Sequence, residues 1–191
     1  MDYVSLAVRT ENKDFEGIKG RLTNDVIRLL HGVIGIGTEV GEIFDSKDSS
    51  NLKEELGDAC WYIALCCDSM GIRLEDLEQD PTFAPYTDAE FTGLGLDQLF
   101  LKQKMASRVG MGLDYVKKHV FYGKPLDAIG MQMVIGELVS FVRSLCITNQ
   151  IDYEDMKAKN IAKLQARYPN KFTESDAIER DLDKEKKALG G

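Results

Sequence analysis

Four acidic residues in two pairs are the part of this sequence best suited to chemistry. Glu39 and Glu42 stand in Thr-Glu-Val-Gly-Glu-Ile-Phe-Asp, and Glu55 and Asp58 in Leu-Lys-Glu-Glu-Leu-Gly-Asp, with a short polar connection between the two runs. Residues three apart share one face of a helix, so each pair sets its carboxylates side by side. Two such helices packed antiparallel would aim all four at one point. Converging anionic oxygens repel one another and are costly to desolvate, so the arrangement is stable mainly with a cation between them. Oxygen ligands without Cys or His suit Mg²⁺, with Mn²⁺ as the alternative, rather than zinc.

The elements that must position these acids follow from the apolar spacing. Residues 23–45 carry Val26, Ile27, Leu30, Val33, Ile34, Val40, Ile43 and Phe44 at helical intervals. Gly32, Gly35, Gly37 and Gly41 interrupt that helix, each costing about 1 kcal/mol against alanine. They are tolerable where a neighbouring helix or a ligand must approach the backbone, whether or not a metal is involved. Ser49 or Ser50 is expected to cap the next helix, which would bury Leu52, Leu56, Ala59, Cys60, Ile63 and Cys67 and stop at Gly71. Trp61 and Tyr62 flank its acidic turn. Stacking of Trp61 on a base is one reading and ordinary packing the other.

Elsewhere, residues 3–10 read as a short amphipathic helix with Val4, Ala7 and Val8 on one side, and residues 11–20 as a charged surface loop. Residues 79–90, with Pro81 and Pro85, read as a linker. Helical segments are expected at about 94–121 and 126–149. They contain an apparent internal repeat. Leu56-Gly57-Asp58-Ala59 and the residues after it align without gaps on Ile135-Gly136-Glu137-Leu138, and Gly35-Ile-Gly-Thr-Glu39 faces Gly110-Met-Gly-Leu-Asp114. Glu42 then faces Lys117 and Glu55 faces Val134, so two of the four candidate ligands are missing from the second copy. A hairpin repeated once gives an all-α bundle of antiparallel helices. A catalytic hairpin at about 22–72 and a ligand-poor hairpin at about 93–150 would then form one domain.

The last helix, 152–168 with Asp152 as its cap, aligns Asn160, Lys163 and Arg167 at i, i+3 and i+7. Such a stripe is commonly a solvated face, but beside a carboxylate and metal cluster it is what the outer oxygens of a polyphosphate need. The tail, 173–191, alternates charge through Arg180-Asp-Leu-Asp-Lys-Glu-Lys-Lys and is expected to be an exposed helix fraying into Leu189-Gly-Gly191.

At 191 residues, 43% hydrophobic, the chain can bury one sizeable core. Its net charge of −8 argues against polymeric nucleic acid as a partner, whereas a small metal-complexed anion remains compatible. The N-terminal residues lack the pattern of a signal peptide, and no uninterrupted apolar run reaches the roughly 18 residues of a membrane span. A cytoplasmic protein without a membrane partner is expected. Cys60, Cys66, Cys67 and Cys146 sit in apolar segments without zinc spacing and read as buried thiols.

Glu39-x-x-Glu42, the spacer and Glu55-x-x-Asp58 resemble the signature of MazG-like nucleoside triphosphate pyrophosphohydrolases, of the all-α NTP pyrophosphatase superfamily that includes dimeric dUTPases. The resemblance extends to Tyr3-x-x-Leu-Ala-x-Arg-Thr10 and to Asn160-Ile-Ala-Lys-Leu-Gln-Ala-Arg-Tyr-Pro169. It implies Mg²⁺-dependent cleavage of a nucleoside triphosphate to the monophosphate and pyrophosphate. By the matching positions, Glu39, Glu42, Glu55 and Asp58 would hold metal and supply the catalytic carboxylates, while Asn160, Lys163 and Arg167 would touch phosphate or sugar. It also implies a homo-oligomer, a dimer first, although a fused ligand-poor hairpin could replace a partner's. Glu54 is a further candidate base. His31, about two turns before Glu39, could face the nucleoside or simply pack. Two rivals are a non-catalytic nucleotide or metal sensor on the same bundle, and a helical interaction protein whose acidic rows are solvated faces.

Overall fold

A computed structural model describes residues 2–168, 173–178 and 181–189, and every regular element among them is helical. Besides two 3₁₀ turns, Val8–Thr10 and Pro81–Phe83, the α-helices in order are α1 (Tyr3–Ala7), α2 (Phe15–Arg21), α3 (Asn24–Asp45), α4 (Ser49–Met70), α5 (Leu74–Gln79), α6 (Asp88–Gly93), α7 (Gln98–Tyr122), α8 (Ala128–Thr148), α9 (Tyr153–Arg167), α10 (Glu174–Ile178) and α11 (Leu182–Ala188). The expected all-α bundle is the observed architecture. Pro169, Glu179, Arg180, Gly190 and Gly191, included in the expected last helix and tail, lie outside the described residues.

The helices start and stop where local chemistry satisfies their ends. Thr23 Oγ1 accepts from the Val26 N–H to open α3. Asp48, rather than Ser49 or Ser50, opens α4 by accepting from the Asn51 N–H at 2.8 Å. A carboxylate is the stronger acceptor for the unpaired amides of a first turn, so the helix begins at the acid. Gly71 and Gly123 close α4 and α7 at φ 67° and 68°, conformations that cost glycine little. Asp152 caps α9 as expected.

The α3/α4 hairpin is the centre of the bundle. A Cβ on Gly32 would stand 2.4 Å from Cys66 Sγ, and one on Gly35 would stand 2.2 Å from the Tyr62 ring. These two glycines let α3 and α4 approach. Gly41 has nothing within 4 Å, so helix packing does not account for it. The second hairpin, α7/α8, packs on the first through α7 against α3 and α8 against α4, while α9 lies along α4 and α11 on α9. Leu29, Ile36, Ile43, Leu56, Leu101, Met105 and Leu145 form the deepest core, and all four cysteines are buried as free thiols.

Several expectations are corrected. On α3, Leu29 and Ile36 are inside whereas Ile27, Ile34 and Phe44 are outside, because α4 and α7 approach along an arc that includes the glycine positions. Residues 11–20 are not a loop: Asp14 caps α2, Ile18 is buried, and Arg21 Nε and Asn12 Nδ2 donate to the carbonyls of Val120 and Phe121 at 2.7 and 2.6 Å. The segment is fastened to the end of α7. Residues 79–90 are not a free linker either. Phe83 is buried over Gly136, where a Cβ would meet its ring at 2.5 Å, and Ser140 Oγ donates to the Ala84 carbonyl at 2.8 Å. That segment straps α8. By length and composition α8 could cross a membrane, but 67% of its apolar window is buried in the bundle, as befits a core helix. In the tail, Glu185 is only 3% exposed, against the expectation of a solvated helix.

Candidate metal and substrate site

Glu39 and Glu42, one turn apart on α3, meet Glu55 from the first half of α4. One carboxylate oxygen from each lies within 4.8 Å of the others. Glu39 and Glu55 are buried at 8% and 7% exposure, and Glu42 is open to solvent. Asn51 Nδ2 donates to Glu55 Oε1 at 2.5 Å, and Thr38 Oγ1 makes a longer contact of 3.4 Å to Glu39 Oε1. Burial, reinforced by the charges of Asp58, Glu42 and Glu55, pushes the Glu39 carboxyl up to about 7. Burial together with Glu42, Glu54 and Asp58 does the same to Glu55, also to about 7. Two buried acids and one exposed acid thus offer a cluster of hard oxygens in a strongly anionic site. A divalent cation bound mainly by oxygen, Mg²⁺ or Mn²⁺, fits this donor set, and the open side at Glu42 leaves room for water or a ligand oxygen.

Asp58 is engaged elsewhere. Asn160 Nδ2 donates to its Oδ1 at 2.6 Å, and Lys163 Nζ lies 2.6 and 2.5 Å from its two oxygens and 3.2 Å from Glu54 Oε1. Lys163 is 1% exposed, so an otherwise costly buried ammonium is held by two carboxylates. Gly57 makes this crossing possible, since a Cβ there would stand 3.1 Å from Asn160 Cβ. The four acids expected around one metal therefore divide into a triad and an α9-bound Asp58 at the rim of the same cavity. Of the expected phosphate contacts, Asn160 and Lys163 bind acids of α4. Arg167 reaches the cavity while its Nε and Nη2 donate to Glu185 of α11 at 2.9 and 2.5 Å.

The cavity measures about 480 Å³. Glu39, Glu42, Glu54, Glu55 and Asp58 line its acidic side, and Leu164, Arg167 and Tyr168 approach from α9 and its end. His31, Trp61 and Tyr62 form an aromatic wall, each ring edge-on to the others, with centroids 6.1 Å apart for His31 and Trp61, 5.6 Å for His31 and Tyr62, and 4.8 Å for Trp61 and Tyr62. His31 thus lies at the site, in contact with the residue considered for stacking. Tyr168 and Glu185 were not singled out by the sequence. Tyr168 sits at the end of the Asn160, Lys163, Arg167 stripe, which was a usable signal, whereas nothing local in the charged tail distinguishes Glu185 from its neighbours.

No family model, curated protein or solved structure matches this chain.

Proposed function

We propose that this chain is a Mg²⁺-dependent nucleoside triphosphate pyrophosphohydrolase of the MazG-like kind, cleaving a ribo- or deoxyribonucleoside triphosphate to its monophosphate and pyrophosphate in nucleotide-pool maintenance. The observation that carries the reading is the juxtaposition in one cavity of the Glu39, Glu42 and Glu55 oxygens with the His31, Trp61 and Tyr62 rings. Acids alone would suit many cations. Adjoining a flat-ring wall in a cavity of about 480 Å³, they suit a molecule with a polyanion at one end and a base at the other.

In this reading Glu39, Glu42 and Glu55 would hold the cation, with Asp58 available to it if the α9 contacts loosen. When bound, Mg²⁺ supplies charge neutralisation of the phosphate oxygens and of the departing pyrophosphate, and lowers the pKa of an attacking water. A cavity carboxylate that the cation leaves free, Glu54 among them, accepts the water's proton. Arg167 faces the phosphate chain, and the aromatic wall positions the nucleoside so that attack is in line. Lys163 keeps Glu54 and Asp58 on the cavity side of α4.

One observation favours a second reading, a nucleotide or metal sensor without turnover: Lys163 and Asn160 already engage both oxygens of Asp58. A panel of nucleoside, deoxynucleoside and modified triphosphates, assayed with Mg²⁺ for pyrophosphate and monophosphate, separates the two. Stoichiometric release of both products is the expected result. Tight Mg²⁺-dependent binding with no release across the panel assigns the protein to the sensor class.

A further inference from the structure

Arg167 is the last residue of α9, a place where a long side chain would ordinarily swing into solvent. Here it is fixed. The Glu185 carboxylate grips the Nε and Nη2 edge of the guanidinium in a two-point clamp, and the Tyr168 ring centroid lies 5.9 Å from Cζ. The Arg167 side chain is 17% exposed and that of Glu185 4% exposed, so the clamp is largely withdrawn from water, where a charged pair is held by geometry as much as by Coulomb attraction. Glu185 comes from α11, a helix of the charged tail whose described residues supply none of the acids of the metal cluster and none of the cavity wall.

We propose that Glu185 is a positioning residue: α11 exists at this site to hold the Arg167 guanidinium on the cavity wall, facing the phosphate chain of the ligand. The inference rests on the reading of the cavity as a triphosphate site. Its physical basis is preorganisation. A free arginine must lose much rotamer freedom when it binds an anion, whereas one already clamped by Glu185 and hydrogen-bonded with Tyr168 loses little. The clamp also neutralises part of the arginine's charge. Glu185 therefore contributes through orientation, and a substitution that keeps the positive charge but loses the clamp is expected to weaken binding.

Inorganic tripolyphosphate with Mg²⁺ is the probe, because it carries the phosphate chain without any base preference. Calorimetry on the full chain should show binding by the wild type and an affinity lower by about tenfold for Glu185→Gln. Glu185→Asp, which keeps the carboxylate, should recover most of that loss. The decisive variant is the exchange Arg167→Glu with Glu185→Arg. It rebuilds an ion pair between α9 and α11, so the melting temperature lost in Glu185→Gln returns, but the guanidinium now stands on α11 and affinity stays low. Unchanged or tighter binding by Glu185→Gln, or recovery of affinity along with stability in the exchange, overturns the proposal. If Glu185→Gln does not fold, the exchange variant decides alone. A wild type that binds neither tripolyphosphate nor any nucleoside triphosphate with Mg²⁺ overturns the functional reading, and this inference with it.

Discussion

The α3/α4 and α7/α8 hairpins treat their acids in opposite ways. At aligned positions, the second hairpin has Asp114 for Glu39, Lys117 for Glu42 and Glu137 for Asp58. Asp114 is salt-bridged to Lys117 and Lys118 at 2.5 Å each, and Glu137 is paired with Arg108, whose Nη2 donates to its Oε1 at 2.8 Å. Where the first hairpin stacks two carboxylates one turn apart, the second makes an ion pair of the same two positions. Glu39, Glu42 and Glu55 form no salt bridge among the described residues. A helix surface gains from neutralising neighbours, and a cluster that forgoes this while two of its pKa values are raised is what supports the proposed cation site. Within the first hairpin a milder contrast recurs, since Asp58 has its base, Lys163, while still lining the cavity and adding its charge to that of the triad.

The sharpest way to break the comparison is to remove one acid from each hairpin. Glu55→Gln should lower pyrophosphate release by about a thousandfold or more, since on the proposed function it removes a metal ligand and forfeits several kcal/mol of transition-state stabilisation at about 1.4 kcal/mol per tenfold. It should also raise the melting temperature of the chelator-treated protein, because a buried like-charge contact disappears. Asp114→Asn should leave turnover within about twofold of wild type, as expected for a partly exposed ion pair remote from the chemistry. Equal losses in both variants would mean that the triad is not the site.

Aligned glycines offer a second and smaller test. Gly35 and Gly110 align in sequence, yet a Cβ on Gly35 would sit within 2.2 Å of the Tyr62 ring and one on Gly110 meets nothing within 4 Å. Gly35→Ala should destabilise by about 1–3 kcal/mol through overpacking, and by displacing Tyr62 it should raise KM through the His31–Trp61–Tyr62 wall. Gly110→Ala should stabilise by up to about 1 kcal/mol, the helix-propensity difference alone. Chemical denaturation of both variants, with KM on the best substrate of the panel, checks the pair.

These examples also mark what can be read from a sequence of this kind. Three-residue spacing of acids and helical spacing of apolar residues are local signals, and they were sufficient for the two hairpins and for the meeting of Glu39, Glu42 and Glu55, but they set Asp58 in the same cluster, where the structure binds it to Asn160 and Lys163 instead. The glycine-rich stretch of α3 was legible as a place of close approach, but Gly32 and Gly35 meet α4 while Gly37 faces Val109 of α7 and Gly41 meets nothing. The sequence has no local mark for that division. Pairings across the bundle are less legible still. Asp58 finds Lys163 across 105 residues, Phe83 closes over Gly136 from a Pro-rich stretch that looks like a linker, and Glu185 reaches Arg167 from a tail whose alternating charges suggest solvent. Each is decided by which surfaces meet in three dimensions.

Proton linkage separates the hairpins by sign. Glu39 and Glu55 are raised to about 7, so the metal-free fold favours their protonated forms. Their contribution to stability is fully present below the ordinary glutamate range and is lost as pH rises through about 7. Asp114, lowered to about 2 by the hydrogen bonds from Lys117 and Lys118, contributes in the other direction. Its share is present above the ordinary aspartate range and is lost as pH falls towards about 2. Melting temperatures of the chelated wild type and of Glu39→Gln with Glu55→Gln, compared at each pH from 4 to 8 (about the span of the shift), should diverge progressively in favour of the double variant. Saturating Mg²⁺ should close or reverse that gap for the wild type, since the cation binds the deprotonated acids and releases their protons. A difference that stays flat with pH would remove the electrostatic distinction between the hairpins.

The smallest expected effect comes from trying to convert one hairpin towards the other. Lys117→Glu restores an acid at the position aligned with Glu42, one turn from Asp114. The new pair nevertheless lacks the other two conditions of the first hairpin. Val134, a buried apolar residue, aligns in sequence with Glu55, and the Asp114 side chain is 35% exposed, so water screens the new repulsion and Lys118 still neutralises it. Melting should shift by no more than about 1 °C on substitution, and adding Mg²⁺ should stabilise the variant no more than the wild type. A new Mg²⁺-dependent stabilisation would show that acid spacing on one helix suffices to bind the cation. The convergence of α3 and α4 would then lose its part in making the site.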